Sequence, residues 1–419
     1  MKIVDAKCLA FLLGACLLQS PVQAQTESSA ERTLALSSFG TIGALYNNVE
    51  QADYVRNALQ PEGAGRSRSL DYGVDSLLGL QLDLAPGKNL SGMLQVVSHR
   101  RADNTFKPEL TWAFAKYYLG DKAVFRLGRV GVDFYMLAES RNVGYAFTWA
   151  RPPVDFFGPL TVSYFDGGDL VFNQPLGDGH ARVKLYGGRL SEKMPSTSVT
   201  GAFDWSGAPL LGAHVEYQSE KWHFRLGYAQ VTYRGEPSGI AEALSILRQP
   251  LAQTLTDSGG GVLADDLSMD GKKARYLSAG IVHDDGPWQA QLMASRILEG
   301  SIYPDVKSGY FTLAYRKDLW TPYATLSVVS SGDVRAGSGL PAVGPLAPVA
   351  TAVDQLLPAL AATQATLSLG VRYDFMRNAA LKLQLDRVRV RKNALWMNQQ
   401  PRDWAGRATL FSAVVDFVF

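Results

Sequence analysis

The last thirteen residues of the chain, Arg407-Ala408-Thr409-Leu410-Phe411-Ser412-Ala413-Val414-Val415-Asp416-Phe417-Val418-Phe419, alternate between two kinds of side chain. Successive side chains of a strand point to opposite faces. One face is therefore apolar and ends in Phe417 and Phe419, while the other admits Ser412 and Asp416. A strand of a water-soluble sandwich would show the same alternation, so this segment alone leaves both folds open.

Similar segments recur along the chain back to residue 33. Each is about ten residues long, which is the length of a tilted strand that crosses a bilayer. Sixteen such segments can be placed, and short turns such as Pro86-Gly87-Lys88-Asn89 alternate with long loops. We therefore predict an all-β protein, a closed antiparallel transmembrane β-barrel of sixteen strands with long extracellular loops. Because strand boundaries are uncertain by about two to four residues, fourteen or eighteen strands remain open.

Residues 1–24 have the features of a secretory signal peptide. Lys2 and Lys7 precede an apolar run from Cys8 to Leu18, and Val22-Gln23-Ala24 fits a small-residue cleavage site. We predict that this segment is cleaved, and that residues 25–419 form a single barrel domain in the bacterial outer membrane. The alternative of a lipoprotein, acylated at Cys16, stays open because Leu13-Gly14-Ala15-Cys16 loosely fits such a site.

Composition and motifs exclude several classes of function. The net charge is +2, which gives no general attraction to nucleic acid, and no later run of 18 apolar residues predicts a transmembrane helix. The five histidines fall in five separate predicted strands without metal-ligand spacing. A calcium-like loop at 266–277 has Leu277 where the last ligand should be Glu. We predict a protein that is not an enzyme and that carries no metal or cofactor.

Charged residues in the middle of predicted strands indicate a polar interior. An Arg or Lys that faces lipid at the bilayer midplane costs roughly 2–4 kcal/mol, so these charges should face the lumen. The predicted pore-lining residues are Arg126, Arg182, Lys184, Arg225, Arg372, Asp374, Lys382 and Asp386. We expect a lumen of both signs with a basic excess, although the same charges could be structural ladders that stiffen the wall. By alternation, Arg387, Arg389 and Arg391 face outward, where they could meet lipopolysaccharide phosphates.

The loop at residues 131–160 is predicted to narrow the pore. It is too long for a simple connection and is rich in aromatic residues, and Pro152-Pro153 stiffens its returning limb. Its charged residues are the predicted constriction: Asp133, Glu139, Arg141, Arg151 and Asp155. The alternative is a loop that folds outward over the mouth. Two further loops, 234–271 and 332–362, have helical spacing of apolar residues, interrupted in the second by Pro358, and should cover the mouth.

These features together resemble the porins of Gram-negative bacteria. The resemblance rests on the signal segment, the Arg126-Leu127-Gly128-Arg129 run, the long loop directly after it and the terminal Phe419. It implies a sixteen-stranded barrel, usually a homotrimer, whose third external loop folds into the lumen. The loop lacks the acid-rich run with a Pro-Glu-Phe-Gly-type element of general porins, so their selectivity does not transfer directly.

The function predicted is passive diffusion of small hydrophilic solutes and ions through a water-filled channel. A substrate- or anion-selective porin, or a barrel that acts as an adhesin or envelope-structural protein through its loops, is the alternative. The expected partners are outer-membrane lipid and lipopolysaccharide. Phe417 and Phe419 are predicted to be an assembly signal, because the last strand must pair with the first. The trimer contact is predicted at the apolar flank that carries Leu34, Leu36, Leu369 and Phe411.

Overall fold

A computed structural model describes residues 34–57, 59–160, 162–194, 201–249, 260–334, 337–340, 344, 346–392, 397–398 and 404–419. The predicted signal peptide, residues 1–24, lies outside these ranges. Among the described residues, no helix combines the length and the apolar character needed to cross a membrane.

Sixteen long antiparallel strands form the wall. In chain order they are β1 (Leu34–Asn47), β2 (Leu77–Leu84), β3 (Leu90–His99), β4 (Glu109–Leu119), β5 (Ala123–Gly131), β6 (Tyr164–Leu176), β7 (Gly179–Leu190), β8 (Pro209–Gln218), β9 (Trp222–Thr232), β10 (Lys273–Asp285), β11 (Trp288–Glu299), β12 (Val306–Tyr315), β13 (Trp320–Ser331), β14 (Thr363–Met376), β15 (Ala379–Val390) and β16 (Arg407–Val418). The number and order agree with the sequence prediction.

The wall closes on itself through β1 and β16. Each strand pairs with the next, and β16 returns to β1 with Phe39 opposite Val418 and Asn47 opposite Leu410. A seventeenth, two-residue strand, Leu70–Asp71, extends the pairing at the end of β1. Closure satisfies the backbone groups that an open sheet would leave at its edges. The predicted closed barrel is therefore confirmed.

The alternation of side chains follows the prediction. Leucines on the outward face of the strands are exposed, including Leu36, Leu80, Leu127, Leu226 and Leu326. The inward face of β13 is polar and nonetheless buried, at Thr321, Thr325 and Ser327. An interior that is polar but shielded from water must be filled by other parts of the chain.

Two predicted boundaries are wrong. The alternation of apolar and polar residues predicts a second strand from Asp71 to Leu84, but the strand begins at Leu77. The Asp71 carboxylate accepts hydrogen bonds from the backbone N–H groups of Gly73 and Val74 and holds a turn there. Pro358 does not interrupt its helix, which runs from Ala347 to Leu360. A proline so close to the end removes only one of the last backbone hydrogen bonds.

Short helices lie in the long loops, and those in loops 234–271 and 332–362 were predicted. Helix α1 (Val154–Phe157) follows β5, α2 (Ser238–Leu247) and α3 (Gly260–Leu267) lie between β9 and β10, and α4 (Ala347–Leu360) lies between β13 and β14. Leu244 of α2, Leu263 of α3 and Val353 of α4 are buried in one apolar cluster. These three helices therefore share one apolar core, and their place over the mouth stays a prediction.

Candidate functional site

The chain between β5 and β6 folds into the barrel, and we refer to residues 132–163 as the third loop. The indole N–H of Trp149 donates to the hydroxyls of Thr312 and Thr325, at 3.0 and 3.1 Å, on two neighbouring strands. The backbone N–H of Ala150 donates to the phenol oxygen of Tyr323 at 3.0 Å. Since these partners all lie on the inward face of the wall, the predicted in-folding is confirmed and the outward alternative is wrong.

An aromatic cluster fixes the returning limb of the loop against β12. The rings of Phe156 and Phe157 pack on Tyr310 with centroids 5.1 and 5.6 Å apart, and Trp149 meets the same ring edge-on at 5.6 Å. Tyr135 from the outgoing limb packs on Phe157 at 4.8 Å. Aromatic pairs in this geometry contribute roughly 0.5–1.5 kcal/mol each beyond the area that they bury. These side chains explain why a loop so apolar leaves the water.

Arg151 is an anchor rather than a water-facing charge. Its guanidinium donates to Asp75 at 2.6 and 2.8 Å, to Ser412 at 2.9 Å and to Asp386 at 3.4 Å, and it lies over the ring of Tyr54. Only 1% of the residue is exposed. Burial lowers the pKa of Arg151, but Asp75 outweighs it and raises that pKa, so the side chain stays a cation.

Asp155 is also buried, on the first turn of α1. Its carboxylate accepts hydrogen bonds from Ser327 at 2.6 Å and from Gln364 at 2.7 Å. Burial raises its pKa, and these hydrogen bonds only partly offset the shift. Arg151 and Asp155 both turn towards the wall, because the loop lies against it, so they do not face a passing ion.

Asp133 and Glu139 bind a cluster of cations on the opposite wall. Lys184 donates to Asp133 at 2.6 Å and to Glu139 at 3.1 Å, and Arg225 donates to Asp133 at 2.8 Å. Arg126 donates to Glu139 at 3.0 Å. Burial raises the pKa of Asp133, but Lys184 and Arg225 outweigh burial and hold it well below its usual value.

Glu139 differs from Asp133 in its contact with water. About 44% of its side chain is exposed, and Arg182 approaches it at 3.5 Å with about 31% of its own side chain exposed. Burial raises the pKa of Glu139, but the charges of Lys184 and Arg126 outweigh that effect and lower the pKa to about 2. Glu139 and Arg182 are therefore charged groups that remain partly accessible to water.

Several of the wall cations that face the third loop are paired with carboxylates of the wall. Arg126 donates to Asp169 at 2.6 Å, Arg225 donates to Glu216 at 2.6 Å, and Lys382 lies 2.7 Å from Asp416. Strand alternation on β6 and β16 could have found Asp169 and Asp416. The same alternation places Asp75 on the polar face, although it lies just before the strand that begins at Leu77.

The middle of the third loop is bound through its backbone. Arg372 donates to the carbonyl oxygens of Tyr145 and Phe147 at 2.7 and 3.0 Å, and Lys382 donates to that of Gly144 at 2.8 Å. The hydroxyl of Tyr145 donates to the carbonyl of Arg377, in the short turn after β14, at 2.9 Å. The loop therefore reaches the end of the barrel that carries the short turns.

The remaining predicted site residues are Asp374, Asp386 and Arg141. Asp374 accepts from Arg372 at 2.7 Å and keeps about 31% of its side chain exposed, whereas Asp386 is buried against Arg151. Arg141 lies over the ring of Tyr135 and donates to the carbonyl of Ala138 at 2.9 Å.

The two predicted assembly residues lie at the closing seam. Phe417 is buried across Gly40 of β1, where an added Cβ would overlap the phenyl ring. Phe419 is exposed, and its backbone exchanges hydrogen bonds of 2.7 and 2.8 Å with Ser38. The last residue therefore completes the pairing that joins the two ends of the wall.

No protein-family model and no curated protein matches the chain. Among solved structures it is similar to the outer-membrane channel DcaP of Acinetobacter baumannii, with 12% identity, a TM-score of 0.54 and coverage of 94% of this chain and 100% of that one. It is similar to OmpF of Salmonella typhi, in complex with daunomycin, at 11% identity and 0.53, covering 92% and 97%.

The anion-selective porin of Comamonas acidovorans is a third similar structure, at 14% identity and a TM-score of 0.52, with coverage of 92% and 99%. At these identities the similarity concerns the fold. The resemblance to porins that the sequence suggested is confirmed at that level.

Proposed function

We propose that the protein is an outer-membrane channel for passive diffusion of small hydrophilic solutes and ions, and that it is not an enzyme. The observation that carries this proposal is a closed barrel with an apolar outer face and a charged interior into which one loop folds. In a bilayer, only helices and closed barrels satisfy all backbone polar groups.

The outer surface supports a place in a membrane. Trp222, Trp288 and Trp320 are the first residues of β9, β11 and β13, and each is exposed by 40–49%. Trp288 packs edge-on against Tyr315 at 4.7 Å, and Trp320 stacks on Tyr373 at 4.2 Å. Aromatic girdles of this kind lie at the membrane–water interface of barrels. The interface would then lie near the short turns, with the exposed leucines in the hydrocarbon.

The water-facing charges of the third loop and the wall are proposed to control ion passage. Glu139 and Arg182 are of opposite sign, partly exposed and 3.5 Å apart. In a narrow passage, fixed charges act on an ion with less screening than at an open surface. We therefore assign the constriction to Glu139 and Arg182 and give Arg151 and Asp155 an anchoring role.

A structural barrel with little conductance is the second candidate. Lys184 and Lys382 lie under the third loop with 1% and 0% exposure, so the loop fills much of the lumen on two sides. Reconstitution of the full-length folded protein in planar bilayers tests the choice. Stepwise single-channel currents, with swelling of liposomes in small sugars, support the channel. A folded, inserted protein that gives neither would leave the structural role.

The outer face also supports a proposal about lipid. Arg387, Arg389 and Arg407 are exposed and point outward, and Arg389 lies directly opposite Arg407 on the neighbouring strand. No described carboxylate lies within ion-pair distance of any of them. We propose that they bind lipopolysaccharide phosphates, since guanidinium groups bind phosphate through paired N–H donors.

The homotrimer remains a proposal, for which the exposed leucines Leu34, Leu36 and Leu369 give an apolar flank.

A further inference from the structure

A small cleft lies where the first loop (48–76), the end of β3 and the third loop meet. Its volume is about 140 Å³, and its lining includes Arg56, His99, Arg100 and Arg141. None of the described residues that line it is Asp or Glu. Part of the lining is apolar, with Tyr135, Phe147 and Phe157 together with leucine and proline residues. The cleft thus combines basic and aromatic side chains, and Arg141 lies over the ring of Tyr135.

Two buried guanidinium nitrogens around the cleft have no hydrogen-bond partner among the described residues. They are Nε of Arg100 and Nη2 of Arg141. The other nitrogens of Arg100 donate to Asp71 and to the carbonyl of Glu62, both at 3.0 Å. The other nitrogens of Arg141 donate to the carbonyls of Ala138 and Val162, at 2.9 and 3.4 Å. Both side chains are therefore held in place as fixed positive charges, and the two unpaired nitrogens are closed to solvent.

Arg56 carries a positive charge that no described carboxylate pairs with directly. Its guanidinium has no hydrogen bond or ion pair with any described residue, and burial lowers its pKa. The Asp71 carboxylate is bound by Arg100, and Glu109 lies 3.8 Å from His99. A buried donor without a partner costs roughly 1–3 kcal/mol, and more when it is charged. An anion in the cleft would pair with Arg56 and would balance part of the charge of Arg100 and Arg141.

We propose that the cleft binds a small organic carboxylate. This proposal rests on the proposed channel function, because it names the class of solute that binds inside the channel. The carboxylate oxygens accept from the guanidinium of Arg56, and Arg100 and Arg141 add fixed positive charge beside it. The apolar part of the solute packs against Tyr135 and Phe157. A planar carboxylate suits guanidinium donors, which form paired hydrogen bonds in one plane. The aromatic side distinguishes this site from one for inorganic anions.

The test is calorimetric titration of the folded full-length protein in detergent, with benzoate as the probe. Benzamide is the matched neutral probe, and inorganic phosphate and chloride are the anions without an apolar part. We expect benzoate to bind, and Arg56→Gln to weaken it roughly tenfold to a hundredfold, because a hydrogen bond to a charged group is lost. Arg141→Gln should weaken it less, because only a nearby positive charge is lost. Arg296→Gln serves as the control, because Arg296 is an exposed cation on β11 that is paired with Asp305 at 3.0 Å. This variant should bind benzoate like the parent.

The outcomes separate the cleft from the channel. Absence of benzoate binding, or equal affinity for benzoate and benzamide, overturns the proposal, as does equal affinity in the parent and both glutamine variants. Equal affinity for chloride or phosphate overturns the organic part. Arg56 has no side-chain bond to lose, so its variant stays informative if Arg141→Gln misfolds. Conductance without benzoate binding overturns only the cleft, whereas benzoate binding without conductance overturns only the channel.

Discussion

Releasing the third loop from the wall should change the channel, and Arg151 is the residue at which to do it. Arg151→Gln removes a fully buried cation and leaves Asp75 and Asp386 without their partner. Breaking a buried pair in this way costs roughly 3–5 kcal/mol. At 1.4 kcal/mol for each factor of ten, the equilibrium between docked and released limb shifts by a factor of about 100 to 4,000.

Single-channel recording of the inserted protein measures this shift. We expect a higher mean conductance, with new transitions between levels, because the limb at 149–153 spends time away from the wall. The double variant Arg151→Gln with Asp75→Asn should recover part of the parental behaviour, since it no longer leaves the Asp75 charge buried alone. Arg316→Gln breaks an exposed pair with Asp284, worth roughly 0–1 kcal/mol, and serves as the control.

The result that would refute the reasoning is a folded Arg151→Gln variant whose conductance and current noise equal those of the parent. The limb would then be held by its aromatic packing and the Trp149 hydrogen bonds alone. An equal loss of folded protein in the single and double variants would also contradict it, because the cost would not come from the uncompensated carboxylate.

Three further perturbations test other parts of the structure. Deleting Phe419 removes both backbone hydrogen bonds to Ser38 and should reduce the heat-modifiable folded form; undiminished folded protein in outer-membrane fractions would contradict this. Glu139→Gln should move the reversal potential in a salt gradient towards anion preference. The ion preference of the parent should stay constant as pH falls until the pH nears the Glu139 pKa of about 2, where the carboxylate gains a proton. A shift of the parent's ion preference near pH 5 would exclude Glu139 as its source. Replacing Arg389 and Arg407 with Glu should reduce the lipopolysaccharide that copurifies, and unchanged copurification would rule out this patch.

The barrel could be predicted because its signals are local. Each strand shows its own alternation and each short turn its own turn residues, so the wall can be read segment by segment. The in-folding of the third loop was also predictable from its composition, since Trp149 and Phe156 would be poorly placed in open water. The boundary at Leu77 was missed because the apolar and polar alternation continues into a turn held by the Asp71 side chain.

The partners of the loop could not be predicted in the same way. Arg151 meets Asp75 and Asp386, which lie 76 and 235 positions away in the chain. Such contacts depend on how far the loop extends into the closed barrel, and the spacing of residues along the sequence does not determine that distance. The sequence therefore identified charged residues correctly as inward-facing but could not separate those that face water from those that face a partner.

The interior charges fall into two groups, buried residues that hold the third loop and exposed residues that face water. Lys184, Lys382 and Arg151 are fully buried, and each holds the third loop through a carboxylate, a backbone carbonyl or both. A change at any of them leaves a buried group without its partner, so it acts on the position of the loop and hence on the width of the passage. Glu139 and Arg182 lie at the water surface, where a change of charge alters the local field with little structural cost. Width and ion preference should therefore respond to different residues, because one depends on buried pairs and the other on exposed ones.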